Sequence, residues 1–508
     1  MEDRAETVDW SRARVFMVGI KGTGMTALAE LLLSLGASVS GSDVEEEFYT
    51  DRILSELGVR VAARFDEERL PDALDLVIYS AAYDPDTNPQ LRAARRRALP
   101  LMSFPEALGA FSRRLPSVAV SGVHGKTTTT AMVGTLVRRL GLDGSVLVGS
   151  GVSSFGGRST LVQGDRFFVA ETCEYRRHFL HFSPSVLLIT SVEADHLDYF
   201  SGYADVRDAF VTFGERLAQE GTLVFCADDA GARETAAEIQ RRRPDLSLIS
   251  YGRSPDAAVR ITEVREEPGR TTFRLAGVDV PFALPLPGAH NALNATAAFT
   301  VIRVLTEGGW TAADPAQVAA EETDPAQVAA DETDPAQVAA DETDPAQVAA
   351  ALESFHGTAR RSELVGTRDD VLIIDDYGHH PTAIAKTLEA LRRFYPGRRM
   401  IVDFMSHTYS RTSALLDAFG ACFDEADVVI INKIYASARE SFSGSISGAD
   451  LAEAVRRRHG AVYYAPELDE AAELVRALVR PGDLFVTLGA GNNWQIGRQL
   501  LHALEHSA

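Results

Sequence analysis

The stretch Ser117-Val-Ala-Val-Ser-Gly-Val-His-Gly-Lys-Thr-Thr-Thr-Thr-Ala-Met-Val-Gly-Thr135 holds a strand, a glycine turn and the start of a helix in one short segment. Val118 to Val120 form an apolar, β-branched run that reads as a buried strand. The run breaks at Gly122 and Gly125 and passes into a helical segment ending at Leu136-Val-Arg-Arg-Leu140. This is the layout of a phosphate-binding loop. Backbone N–H groups of Gly122, Val123, His124 and Gly125 can close around phosphate oxygens, and the helix N-terminus adds its positive dipole. Lys126 would reach the β- and γ-phosphates, and the Thr127 hydroxyl would face Mg²⁺, with Thr128 next to it. Val120 stands where the first glycine of the general pattern belongs, so the motif is a shortened Gly-x-x-Gly-Lys-Thr. An ordinary glycine turn is the competing reading.

Around this loop the 508 residues predict about three domains at ~150 residues each. A hydrophobic fraction of 45% is ample for buried cores, and a net charge of −22 argues against general nucleic-acid binding. No apolar run is long enough to span a membrane, and no basic and apolar leader opens the chain, so no membrane insertion is expected. Three widely spaced cysteines, Cys173, Cys226 and Cys422, suit a reducing cytoplasm.

Residues 1–114 open with the strand Arg14 to Val18, the turn Gly19-Ile-Lys-Gly22-Thr23-Gly24-Met25 and a helix through Ala27 to Leu33. A second strand, Ser38 to Ser40, leads to Gly41-Ser42-Asp43. This is a βαβ unit whose glycines could carry a pyrophosphate, with Asp43 near the place of a ribose-binding acid. The order G-x-x-G-x-G departs from the redox-dinucleotide fingerprint, and a turn needed only for close packing is the plainer reading. A further strand, Leu76 to Tyr79, ends at Ser80 on the edge where ligands bind in open sheets.

In the second unit, 115–313, the strands Phe167 to Ala170 and Val186 to Ile189 end at Glu171-Thr-Cys-Glu174 and at Thr190-Ser-Val-Glu193-Ala-Asp195-His196. Both ends can sit beside the phosphate loop on one parallel sheet. Glu171 offers Mg²⁺ a hard oxygen, and His196 could be a second ligand or a hydrogen-bonded surface residue. Pro287-Gly-Ala-His290-Asn291 enters an Ala-rich helix, by capping or as a nucleotide contact. Residues 344–508, with a lead-in helix over 344–355, again alternate strands and helices: Val371 to Ile374, Arg399 to Val402, Val428 to Ile431 and Leu484 to Thr487. Between these units the decamer ending Asp-Pro-Ala-Gln-Val-Ala-Ala recurs, with copies beginning around 311, 321, 331 and 341. A proline every ten residues prevents one continuous helix, and one valine per copy leaves little to bury. Residues 314–343 are therefore expected to be a mobile acidic insertion, with the last Asp-Pro starting the lead-in helix. The block from 311 to 350 holds ten acidic residues and no basic one, so much of the net charge is local to it.

Eight pieces in order resemble the Mur ligase family: Gly19 to Met25, Ser121 to Thr128, Glu193 to Asp198, Pro287 to Asn291, Phe355 to Arg361, Asp375 to Pro381, His407 to Thr412 and Leu488 to Gly491. The resemblance implies an α/β chain of three domains: an N-terminal Rossmann-like domain for a UDP-sugar, a central P-loop ATPase-type domain and a C-terminal Rossmann-like domain. It implies a cytoplasmic ATP-dependent ligase that joins L-alanine to UDP-N-acetylmuramate in peptidoglycan synthesis. It places Gly19, Gly22, Thr23, Gly24, Met25, Ser42, Asp43 and Ser80 at the UDP-sugar. It puts ATP at residues 122–128, His290, Asn291 and Asp376, and Mg²⁺ at Thr127, Glu171 and His196. Lys126, Glu171, His196 and Arg361 take the catalytic parts, and Tyr377, His379 and Arg411 the amino acid. Family members often carry an acid at Cys173, Asn at Ser191, Pro at Ser406 and Arg at Thr408. A ligase attaching a tripeptide to the same sugar, a P-loop ATPase driving conformational change and a nicotinamide oxidoreductase are the alternative readings.

Overall fold

The computed structural model describes residues 9–196, 199–310, 344–436 and 446–506. The repeats assigned to 314–343 lie outside the described residues. Among these residues the chain builds three mainly parallel sheets, each with apolar strands covered by helices on both faces. This is the three-domain α/β class predicted.

In the first sheet the strands β1 (Arg14–Val18), β2 (Ser38–Asp43), β3 (Arg60–Ala63), β4 (Leu76–Tyr79) and β5 (Leu101–Ser103) run in the order β3-β2-β1-β4-β5. All four pairings are parallel. The order reverses at β1 and β4, so the glycine turn after β1 opens at the crevice where such sheets take ligands. Helix α1 (Thr23–Ser34) follows that turn, and α2 (Tyr49–Glu56) flanks it.

The central sheet centres on β6 (Ser117–Ser121), with β7 (Gly144–Leu147), β8 (Thr160–Val162) and β9 (Phe167–Glu171) on one side. On the other side stand β10 (Val186–Ile189), β11 (Thr222–Cys226) and β12 (Ser247–Gly252), extended by β13 (Val259–Glu267), β14 (Arg270–Leu275) and β15 (Phe282–Leu284). Parallel register sets Val120 beside Glu171 and Ser121 beside Ile189, which brings the ends of β6, β9 and β10 to one edge. Helix α3 (Lys126–Arg139) leaves that edge and packs on α4 (Ala289–Glu307). The antiparallel strands β14 and β15 carry no period that the sequence reading picked out.

The lead-in helix α5 (Pro345–Glu353) begins as predicted, with the Asp344 side chain accepting from the Ala346 N–H at 2.9 Å and Pro345 in the first turn. Its domain assignment needs correction. Val348, Ala351, Leu352 and Phe355 are buried in the same apolar cluster as Val133 and Phe282 of the central unit. These four apolar residues recur at helical spacing on one face, and that face closes the central core.

The last sheet, ordered β16-β17-β21-β18-β19-β20, comprises β16 (Glu363–Arg368), β17 (Val371–Asp376), β18 (Met400–Phe404), β19 (Val428–Ile431), β20 (Val462–Tyr464) and β21 (Leu484–Leu488). Only the edge strand β16 pairs antiparallel. Helices α6 (Pro381–Phe394) and α7 (Tyr409–Ala414) start from loops after β17 and β18. The domain boundaries differ in kind. Ala27, Leu31, Leu108 and Phe111 of the first unit share an apolar cluster with Phe168, Phe179 and Phe210 of the second. Among the described residues, no apolar cluster joins the central and C-terminal sheets.

Candidate active site

The turn after β6 has the backbone its sequence requires. Gly122 and Gly125 have φ of +134° and +80°, values that favour glycine. A Cβ on Gly122 would also lie 2.0 Å from Thr190 Oγ1, and one on Gly125 2.6 Å from Asn294 Oδ1. Ser191 pins the loop from β10: its carbonyl accepts from Val123 N–H at 3.0 Å and its hydroxyl from His124 N–H at 2.9 Å.

Lys126 donates to Glu174 Oε2 at 2.9 Å and Oε1 at 3.1 Å, and also to the Gly122 carbonyl. Burial alone would push the Glu174 carboxyl up, but Lys126 and His196 hold it below its ordinary range. Burial likewise pulls Lys126 down, and Glu174, Cys173 and Glu171 together raise it. The pair is therefore fully ionised. His196 Nε2 stands 3.4 Å from Glu174 Oε1, and its ring lies 4.9 Å from that of Tyr175. Glu174 thus links Lys126 to His196, a part the sequence reading did not assign. The available signal was its position, three residues past Glu171 at the same strand end.

Thr127 Oγ1 donates to Glu171 Oε1 at 2.9 Å, and Glu171 Oε2 accepts from Gly149 N–H at 2.7 Å. A Cβ on Gly149 would fall 2.5 Å from Glu171 Oε2, so that glycine forms a cradle only a bare backbone leaves open. A hydroxyl and a carboxylate side by side at a helix N-terminus are hard donors of the kind Mg²⁺ takes while keeping several waters. The residues present fit that ion. The structure joins Thr127 and Glu171 directly, whereas His196 meets Glu174.

The C-terminal domain reaches this edge. Arg361 Nη2 lies 3.5 Å from Thr127 Oγ1. The Arg360 and Arg361 guanidiniums flank the Tyr377 ring at 5.0 and 5.3 Å from its centroid. Asp376 accepts from Ser362 and Gly378 N–H groups, both at 2.7 Å, which fixes the loop carrying Tyr377 and His379. Arg411 donates to Asp195 Oδ1 at 2.8 Å, with both side chains buried. Burial would raise the Asp195 carboxyl, and Arg411, His196 and His379 draw it far below the usual range. Asp195 is a second residue whose part was missed, although it lies inside the quoted Glu193 to Asp198 segment. Thr408 has φ of +69°, an outlier for a β-branched side chain, and donates its N–H to the Tyr435 carbonyl at 2.9 Å.

Between the two domains lies a cavity of about 340 Å³, lined by Lys126, Thr128, His290, Asn291, Asp376 and Lys386 among others. Burial brings His290 down to about 4, so its imidazole is neutral there. Apart from Gly122, the residues read as nucleotide contacts line this one space.

The first glycine turn stands apart from this cavity. Gly19 has φ of +82°, and a Cβ there would strike the Tyr83 ring at 2.5 Å. Asp43 accepts from Lys21 N–H at 2.7 Å and from the Tyr83 hydroxyl at 3.2 Å, so its carboxylate braces the turn. Ser42 donates to Gln90 Oε1 from a buried position, and Tyr49 donates to Thr23 Oγ1 at 2.9 Å. Gly22 caps α1, and the Ser80 hydroxyl accepts from Ala82 N–H at 3.4 Å. Gly24 faces the Phe104 ring and Met25 is buried in the core, so these two have packing parts.

A phosphate loop facing a second α/β domain across a cavity, with a third domain presenting its own glycine turn, defines a multidomain nucleotide-dependent enzyme. Three family models match in order: Mur ligase family, catalytic domain, over residues 14–115; Mur ligase middle domain over 120–302; and Mur ligase, glutamate ligase domain, over 360–491. The chain belongs to the Mur ligase family. It is 46% identical over 496 residues to the UDP-N-acetylmuramate–L-alanine ligase of Treponema pallidum, covering 97% of each chain. It is 33% identical to the protein of that name from Borreliella burgdorferi, covering 94% of this chain and 97% of that one. Among solved structures, the UDP-N-acetylmuramate–alanine ligase of Thermotoga maritima shares the fold with a TM-score of 0.76 at 23% identity, over 98% of this chain and 100% of that one. A murein peptide ligase from Psychrobacter arcticus follows it with a TM-score of 0.66 at 21% identity, over 98% and 99%.

Proposed function

We infer that the chain is an ATP-dependent ligase that forms the amide bond between L-alanine and the carboxylate of UDP-N-acetylmuramate in peptidoglycan synthesis. The observation that carries this reading is the full-length likeness to the ligase of that name at 46% identity. Three free cysteines suit a cytoplasmic location.

A carboxylate does not react with an amine at neutral pH, because oxide would have to leave. Phosphorylation by ATP turns that oxygen into a phosphate, which can leave once the amine has attacked. The chain's residues supply the surroundings for both steps. Lys126 exchanges its Glu174 partner for phosphate oxygens and neutralises charge on the transferred group, as Arg361 does from the other domain. Thr127 and Glu171 would hold Mg²⁺, with His196 nearby. That ion supplies further positive charge beside the phosphates. His290, Asn291 and Asp376 line the nucleotide's side of the cavity. Tyr377, His379 and Arg411 are placed at the amino acid, where Arg411 would trade Asp195 for the substrate carboxylate. Gly19, Gly22, Thr23 and Ser80 present the first turn to the UDP-sugar, while Ser42 and Asp43 support its shape. Packing the C-terminal domain over the loop keeps water from the activated acyl group.

The test is release of phosphate by the purified chain across all twenty amino acids and the tripeptide. Release that needs ATP, UDP-N-acetylmuramate and L-alanine together is expected. Turnover with the tripeptide in place of alanine would reassign it to recycling, and release without either acceptor would make it an ATPase.

A further inference from the structure

Three side chains outside the Thr127–Glu171 pair converge where the central and C-terminal domains meet. They are His124 in the phosphate loop, Glu193 after β10 and His380 at the start of α6. Their ligand atoms all lie within 4.8 Å of one another. His124 and Glu193 are in direct contact, and the His124 and His380 rings stand 5.6 Å apart, centroid to centroid. No helix or strand repeat brings them together, since each comes from a different loop and the last from a different domain.

Two imidazoles and one carboxylate form the donor set of an open tetrahedral zinc site, whose fourth position is left to water or another ligand. The chemistry differs from that of the hydroxyl and carboxylate of Thr127 and Glu171. Oxygen donors suit Mg²⁺, whereas imidazoles select a softer ion. The ligands are also held in place. The backbone that carries His124 is fixed, its main-chain N–H donating to Ser191 Oγ at 2.9 Å. His380 Nδ1 caps Thr382 N–H at 3.4 Å, a long contact that metal binding can give up.

We propose that His124, Glu193 and His380 form a zinc-type divalent-cation site that ties the phosphate loop to the C-terminal domain. The site stands on this geometry and not on the ligase reading. Zn²⁺ held there fastens the two domains together, and turnover slows because the domains must part to release product.

The full-length protein, stripped with a chelator and free of nucleotide, is titrated with Zn²⁺ alone, and with Co²⁺ as a visible reporter of tetrahedral geometry. One equivalent should bind, raise the melting temperature and give the tetrahedral Co²⁺ spectrum. His380→Gln and Glu193→Gln should each weaken uptake by at least about a hundredfold, since losing a whole ligand exceeds the 10–100-fold cost of losing a supporting hydrogen bond. Glu171→Gln should keep it. Circular dichroism checks that the variants fold, and the two substitutions lie in different domains, so one serves if the other misfolds. No uptake by the unaltered protein, no tetrahedral spectrum, unchanged uptake in a folded His380→Gln or Glu193→Gln protein, or loss in Glu171→Gln would each overturn the proposal.

Discussion

Lys126 is the side chain on which the chemistry turns, and its resting partner makes two effects separable. Lys126→Ala should lower kcat by about 10²–10³-fold or more, as for loss of a main transition-state donor. UDP-sugar binding should persist, because the glycine turn of Gly19 belongs to another sheet. The same variant leaves Glu174 buried without its cation, which should cost about 3 kcal/mol of stability. Adding Glu174→Gln should return most of the melting temperature and none of the activity, a pattern read by pairing calorimetry with phosphate release. His196→Ala should raise the Mg²⁺ concentration needed for half-maximal turnover, with water filling part of the gap. An unchanged Mg²⁺ titration would leave His196 only structural contacts, with Glu174 and with the Tyr175 ring.

At the scale of elements, α5 shows where reading and structure part. Asp344 and Pro345 announced its start, and the cap is there. Its destination was not legible, because a short apolar face records that something must cover it and not which sheet does so. Since Asp344 supplies its own cap, deleting residues 314–343 should leave α5 on the central core. Shortening the connection from 311–343 to 311–313 lowers the entropic cost of closing it by about 2 kcal/mol, so melting should not fall below the full chain's value and alanine-dependent phosphate release should stay near it. Asp344→Ala should instead cost about 1 kcal/mol, and the deleted chain is the cleaner background in which to measure it by denaturant titration. Strands such as β6, β9 and β10 were plain from sequence because a buried parallel strand is an unbroken apolar run. The β13–β15 extension was not, for it is half exposed and mixes Arg, Glu and Thr with its apolar residues. The site divides the same way. Glycines and the Lys126-Thr127 pair declare themselves by type, whereas Glu174 and Asp195 gain their meaning from partners that are distant in sequence.

For the whole molecule, stability should depend on pH through the last domain. Asp403, at the end of β18, is fully buried, and burial raises its carboxyl from 3.8 to about 7 despite donors from Asn493 at 2.9 Å and Asn432 at 3.0 Å. The folded state therefore keeps a proton that the unfolded chain releases near pH 4. This contribution is full below that value and is lost as pH rises through about 7, by up to about 4 kcal/mol. Asp403→Asn should flatten melting temperature against pH between 4 and 7 and raise it at pH 8. A variant curve parallel to the parent's would mean that another group carries the dependence. The two domain boundaries lead to a further expectation. The first and second units share buried phenylalanines, whereas the third meets the second through Arg411–Asp195, Arg361–Thr127 and Arg393–Glu266. Ions and hydroxyls are as welcome in water as in such a contact, so separating the third domain sheds little oily surface. Heat capacity measures that surface directly. Calorimetric titration of the swing at several temperatures should thus give an enthalpy that barely changes from one to the next, the signature of a joint built to work alike in cold and warmth.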